Sequence, residues 1–170
     1  MKESACCSSH HNKIEEKSDY TPLIIIIALI ALASLAAALH PFSIRKFFES
    51  FMIGFFLAFS GFKFLDLKAF ATSYKEYDLV AKRWPIYGYI YPFVELFFAL
   101  AMLASFAVTF ILLLEIVIMT ISGFGVVLSK REGKEIQCAC LGNLLKVPLT
   151  SVSLIEDFGM AALGVVLLLF

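Results

Sequence analysis

The sequence predicts an all-α fold, a polytopic membrane helix bundle, and three observations predict it. Hydrophobic residues make up 61% of the 170 positions and charged residues only 16%, with a mean hydropathy of +0.89. A soluble domain carries about 25% charged and about 45–50% apolar residues. The apolar excess comes in blocks, several near the roughly 20 residues a helix needs to cross a hydrocarbon core of about 30 Å. Backbone polar groups in lipid are satisfied only by helices or closed barrels, and these uninterrupted runs are too long for barrel strands of about 9–11 residues.

Residues 1–21 form a polar tail, "MKESACCSSHHNKIEEKSDY" and Thr21. Residues 22–40 hold the first span, beginning "PLIIIIALIALASLAAAL", which contains no charge. Its small residues have the spacing of a signal-peptide cleavage site. The long mixed-charge leader, in place of a short basic one, argues instead for a retained helix. A second span is expected from near Phe47 to about Leu65, carrying Glu49 near its start and Lys63 near its end. The following linker, "DLKAFATSYKEYDLVAKRWP", alternates charges with aromatics and predicts an interfacial helix. Residues 86–128 carry only two charges, Glu95 and Glu115. One helix over that stretch would reach about 64 Å, so a hairpin turning near Ser105 is expected. A polar stretch over 129–147 precedes the last span, 148–170. The expectation is five transmembrane helices.

Positive charge orients such a bundle. Lys2, Lys13 and Lys17 lie in the tail, Lys63, Lys68, Lys75, Lys82 and Arg83 around the second linker, and Lys130, Arg131, Lys134 and Lys146 in the last loop. With five spans these segments share one face. Arg45 and Lys46 stand opposite. Twelve against two predicts that the tail and the last loop are cytoplasmic. Tyr74, Tyr77, Trp84, Tyr87, Tyr89 and Tyr91 suggest an aromatic belt at a headgroup boundary.

The chemistry-bearing residues fall in three groups. Cys138 and Cys140 stand one residue apart in "IQCACLGNLLKVPLT". The thiolate is both nucleophile and metal ligand, and Lys134 and Lys146 favour it while Glu135 offsets them. A disulfide within Cys-x-Cys closes a small, strained and reducible ring. Two thiolates are equally half of a tetrahedral soft-metal site, or two small loop residues. In the tail, Cys6, Cys7, His10 and His11 form a tract suited to a soft cation such as Cu(I) or Hg(II), set against an inert terminus. Within the spans, Lys63, Glu95, Glu115, Glu156 and Asp157 are candidates because ionisable groups in a bilayer are costly. Lys63 and Glu95 lie at the same boundary and are placed to pair, which would hold two helices together. Glu115 lacks a partner by position and suits a proton or cation path. Ser153-x-x-Glu156 reads as a capping box or, with Asp157, as a proton relay.

Net charge is zero, with fourteen basic and fourteen acidic residues, which gives no sign of a nucleic-acid partner. Phosphate loops and protease motifs are missing, and the sequence does not decide whether the protein is an enzyme.

Three stretches, "FMIGFFLAFSGFKFLDLKAFATSYKEYDLVAKRW", "YIYPFVELFFALAML" and "CACLG…VPLTSVSLIED", resemble the methylamine utilization protein MauE family, within the DoxX-like membrane proteins. The matching features are Lys63 and Asp66, Pro92-x-x-Glu95, and Cys138-x-Cys140-Leu141-Gly142, over roughly residues 47–170. The resemblance implies a four-helix membrane module, here with one extra N-terminal transmembrane helix at 22–40. It also implies thiol redox beside a thioredoxin-like partner, as in maturation of the disulfide-rich small subunit of methylamine dehydrogenase. Some similar proteins carry a heavy-metal-associated domain ahead of the module. The expected function is a membrane thiol-redox protein of a bacterial inner membrane, with Cys138 and Cys140 as the couple. The alternative is a heavy-metal-handling protein that uses the tail and the Cys-x-Cys. A structural subunit with incidental cysteines is the third reading.

Overall fold

The computed structural model describes residues 20–39, 42–131 and 149–170. Helix α1, Thr21–Ala38, opens with Pro22 in its first turn, where the missing N–H has no helical partner to lose. Leu39 and Phe42 bridge antiparallel, and the chain turns back into α2, Ile44–Leu65. This helix starts three residues before the expected Phe47. The reason is local: the Ser43 hydroxyl accepts from Lys46 N–H at 3.4 Å, and Arg45 pairs with Glu49 one turn on at 3.1 Å.

The linker expected to be one interfacial helix is two, α3 over Leu67–Tyr77 and α4 over Leu79–Arg83. An aspartate starts each. Asp66 accepts from Ala69 N–H at 3.0 Å, and Asp78 accepts from Val80 and Ala81 N–H at 2.9 and 2.7 Å, the usual work of an N-cap. Burial pushes the Asp78 carboxyl above the ordinary carboxylate range. Hydrogen bonds from Ala81, Tyr74 and Val80, and the Lys82 charge, pull the other way. The apolar side of this linker, with Phe70, Ala71, Tyr74 and Ala81, is buried against α5 and α6. At Gly88 of α5 a Cβ would stand 3.1 Å from the Ala71 backbone, so glycine is what lets α3 and α5 approach this closely.

Helices α5, Tyr87–Leu103, and α6, Val108–Arg131, form the expected hairpin. Ser105 and Ala107 in the turn adopt φ of 52° and 44°. Helix α7, Leu149–Leu169, packs along α6, and α2 sits between α1 and α5. Ser129 of α6 takes a hydrogen bond from Lys82 at 3.4 Å, tying the short helices to the end of the hairpin.

Among the described residues, α1, α2 and α6 are long and apolar enough to cross a membrane, and α5 is a shorter apolar helix of 17 residues. The distribution of side chains explains the solvent. Leu29, Phe93, Phe97, Phe110, Leu113 and Phe124 are exposed, whereas Lys63, Glu95, Glu115, Glu156 and Asp157 are buried. Apolar residues outside and ionisable ones inside are stable only when hydrocarbon surrounds the bundle. The chain is a multi-pass integral membrane protein.

Candidate functional site

Lys63 lies in the last turn of α2, where a lysine ordinarily snorkels to the interface. Here it turns inward and is 2% exposed. Its ammonium donates to Glu95 Oε1 of α5 and to Glu156 Oε1 of α7 at 2.9 Å. Two aromatic faces flank it, Tyr91 at 5.0 Å and Phe70 at 5.5 Å from Nζ to ring centroid, a cation–π arrangement that replaces part of the lost hydration. Four helices thus meet on one side chain.

Asp157 joins through Tyr91, whose hydroxyl points to Asp157 Oδ1 and to Met119 Sδ, each at 3.4 Å. Tyr74 and Ser122 share a hydrogen bond of 3.2 Å on the other side. Lys63, Tyr74, Tyr91, Ser122, Ser153 and the Glu156–Asp157 pair enclose a cavity of about 10 Å³, close to the smallest that admits one water. Glu95 Oε2 and Asp157 Oδ2 have no hydrogen-bond partner among the described residues. One ammonium therefore faces three carboxyl groups, two of them with an unused oxygen. Such a group can accept, hold and return protons.

The pairing of Lys63 with Glu95 agrees with the sequence expectation. Glu156 does not close a capping box: α7 begins at Leu149, so Ser153 is already in the second turn. The Glu156 carboxyl crosses to Lys63, and Ser153 is buried beside it. Asp66 stays outside the cluster as the cap of α3. Glu115 is fully buried, with neither oxygen hydrogen-bonded among the described residues, and it lies against Gly164 of α7. Cys6, Cys7, His10, His11, Cys138 and Cys140 lie outside the described residues. The chain that carries Cys138 and Cys140 leaves α6 at Arg131 and enters α7 at Leu149.

Tyr91 and Tyr74 correct the belt reading. Both are 2% exposed, whereas Trp84 and Tyr89 keep the surface positions a belt requires. The missed signal is spacing, because Tyr91 stands four residues before Glu95 and Phe70 four before Tyr74, hence on the same helical faces.

The family model described as "Methylamine utilisation protein MauE" matches residues 18–170. This chain belongs to the MauE family. The match takes in α1, which the sequence reading set ahead of a four-helix module, together with every residue of the buried cluster. Neither a curated protein nor a solved structure matches.

Proposed function

We propose that this MauE family member is a membrane thiol-redox protein in which Cys138 and Cys140 exchange a disulfide with a thioredoxin-like partner. One partner thiolate attacks the Cys138–Cys140 disulfide, forming a mixed disulfide and releasing one thiol of this chain. The partner's second thiolate then attacks its own sulfur in the mixed bond. The outcome is a disulfide on the partner and two thiols at Cys138 and Cys140, with two electrons and two protons passed from the partner to this chain. The small ring keeps the couple reducible.

The observation that supports this reading is the buried cluster of Lys63, Glu95, Glu156 and Asp157. It lies two turns into α7, the helix that follows the Cys-x-Cys in sequence. Each attack needs a deprotonated sulfur, and carboxyl groups on the helix that follows the pair in sequence suit the removal and return of those protons.

The test is trapping. A thioredoxin-like partner lacking its second cysteine is expected to be retained as a mixed disulfide by the native chain. Retention should be lost in the C138S/C140S double variant; undiminished retention there would overturn the reading. We place the tail and the Cys-x-Cys on the cytoplasmic side of a bacterial inner membrane, on the strength of the basic-residue asymmetry. A membrane-impermeant maleimide is then expected to label single-cysteine variants at Cys7 or Cys138 in inverted vesicles and not in intact cells. Labelling of intact cells would reverse the orientation.

A further inference from the structure

Lys82 of α4 donates to Ser129 Oγ of α6 at 3.4 Å, and Ser129 donates to the Glu76 carbonyl of α3 at 3.5 Å. Three helices therefore meet at one residue, and each brings basic side chains to it. Lys75 adjoins Glu76, Arg83 adjoins Lys82, and Lys130 and Arg131 follow Ser129. All of these cations are exposed, as is Lys68, which stands seven residues before Lys75 and so on the same face of α3. That face is turned away from Phe70, Ala71 and Tyr74, which are buried. Against Lys68, Lys75, Lys82, Arg83, Lys130 and Arg131, the exposed acids of residues 66–83 and 129–131 are Asp66 and Glu76. Asp66 is already engaged as the cap of α3. Large apolar residues stand exposed beside the cations: Leu65, Leu79, Trp84 and Ile86.

We propose that this basic surface binds the headgroups of anionic phospholipid. Helices α3 and α4 join α2 to α5, two apolar helices, so they lie at the bilayer boundary. Exposed leucine, isoleucine and tryptophan beside lysine and arginine are the make-up of a helix in the headgroup layer. A soluble acidic partner would match the cations but not Trp84 and Ile86, which are 67% and 68% exposed. Charge selects among the lipids. The phosphate of phosphatidylglycerol is uncompensated, whereas in phosphatidylcholine the choline neutralises it. Each basic side chain close to the membrane surface therefore favours the anionic lipid. The guanidinium groups of Arg83 and Arg131 add paired donors that match phosphate oxygens. Helix α3 also carries Phe70, whose ring lies 5.5 Å from the Lys63 ammonium, so headgroups that hold α3 hold one wall of the buried cluster. Lipid binding at this surface goes beyond the thiol reading and does not depend on it.

Trp84 is the chain's single tryptophan and adjoins Arg83, so its fluorescence reports on the lipid at this surface. The full chain is reconstituted in mixed bilayers of phosphatidylglycerol and phosphatidylcholine, with brominated acyl chains on one lipid or the other. At equal mole fraction, brominated phosphatidylglycerol should quench Trp84 more strongly, corresponding to an enrichment of about twofold or more. The quadruple variant Lys75→Gln/Arg83→Gln/Lys130→Gln/Arg131→Gln should bring that ratio close to one. It leaves Lys82 on Ser129 and changes only exposed residues, so it is expected to fold. Arg45→Gln/Lys46→Gln, at the far end of α2, should keep the native ratio. Potassium chloride should lower the native preference by screening, which tests the surface without any substitution. Inorganic phosphate at the same ionic strength should lower it no further. Equal quenching by the two lipids, as an acidic protein occupant predicts, would overturn the proposal. So would a preference that survives the quadruple variant or high salt, one lost in Arg45→Gln/Lys46→Gln, or one that phosphate removes and chloride does not.

Discussion

Replacing Lys63 by methionine is expected to be the most damaging single change in the bundle, costing about 3–5 kcal/mol, the range seen when one partner of a buried ion pair is removed. The side chain volume is nearly kept, so packing contributes little. The loss comes from Glu95 and Glu156, which are 0% and 5% exposed and would face each other without the ammonium between them. The cation–π contacts to Tyr91 and Phe70 vanish at the same time. If charge pairing is the cause, Lys63→Met/Glu95→Gln/Glu156→Gln should recover most of the loss, because a buried pair replaced by neutral groups is often tolerated. Unfolding of the purified chain in mixed micelles, followed by circular dichroism, measures both. A Lys63→Met midpoint matching the native one would show that the cluster holds no energetic tension. Failure of the triple variant to recover would move the cause to packing.

The pairing behind that prediction was half legible in the sequence. Lys63 and Glu95 both lie close to the α2–α5 linker, so any antiparallel arrangement brings them to one depth. Glu156 was legible as an ionisable group in a span, yet its direction was not. Ser153 and Glu156 have the spacing of a capping box, and only a helix start at Leu149, four residues earlier, removes that option. Tyr74 and Tyr91 show a different limit. An interfacial aromatic and a buried one are the same residue type near the same boundary, and what separates them is which helical face each occupies. The apolar groove of about 580 Å³ that α1, α2 and α7 line was invisible for a further reason. The every-fourth-residue phenylalanines were present in the sequence, but a ridge becomes a wall only when α1 and α7 settle on either side of it. The long apolar helices were clear, since such runs admit no other membrane-spanning structure, whereas the division of the linker at Asp78 was not.

Glu115 supplies the second large effect, through its neighbour. Gly164 of α7 leaves the space that the Glu115 carboxyl fills. A Cβ there would overlap Glu115 Oε2 and stand 2.9 Å from Ile116 Cγ1. Gly164→Ala is therefore expected to destabilise the α6–α7 pair by about 1–3 kcal/mol, the usual cost of overpacking, even though alanine is the better helix former by about 1 kcal/mol. The clash has two parts with different remedies. The carboxyl end of Glu115 is flexible and has no hydrogen bond to lose among the described residues, whereas Ile116 is β-branched and stiff at χ1. In a double-mutant cycle, Glu115→Ala should relieve most of the Gly164→Ala penalty, giving a coupling of about 1 kcal/mol or more, of the size expected for residues in contact. Additive effects would mean that Ile116 carries the clash and that the carboxyl swings clear. Strong coupling would mean that α6 and α7 are held at their present distance by a glycine that makes room for one buried acid.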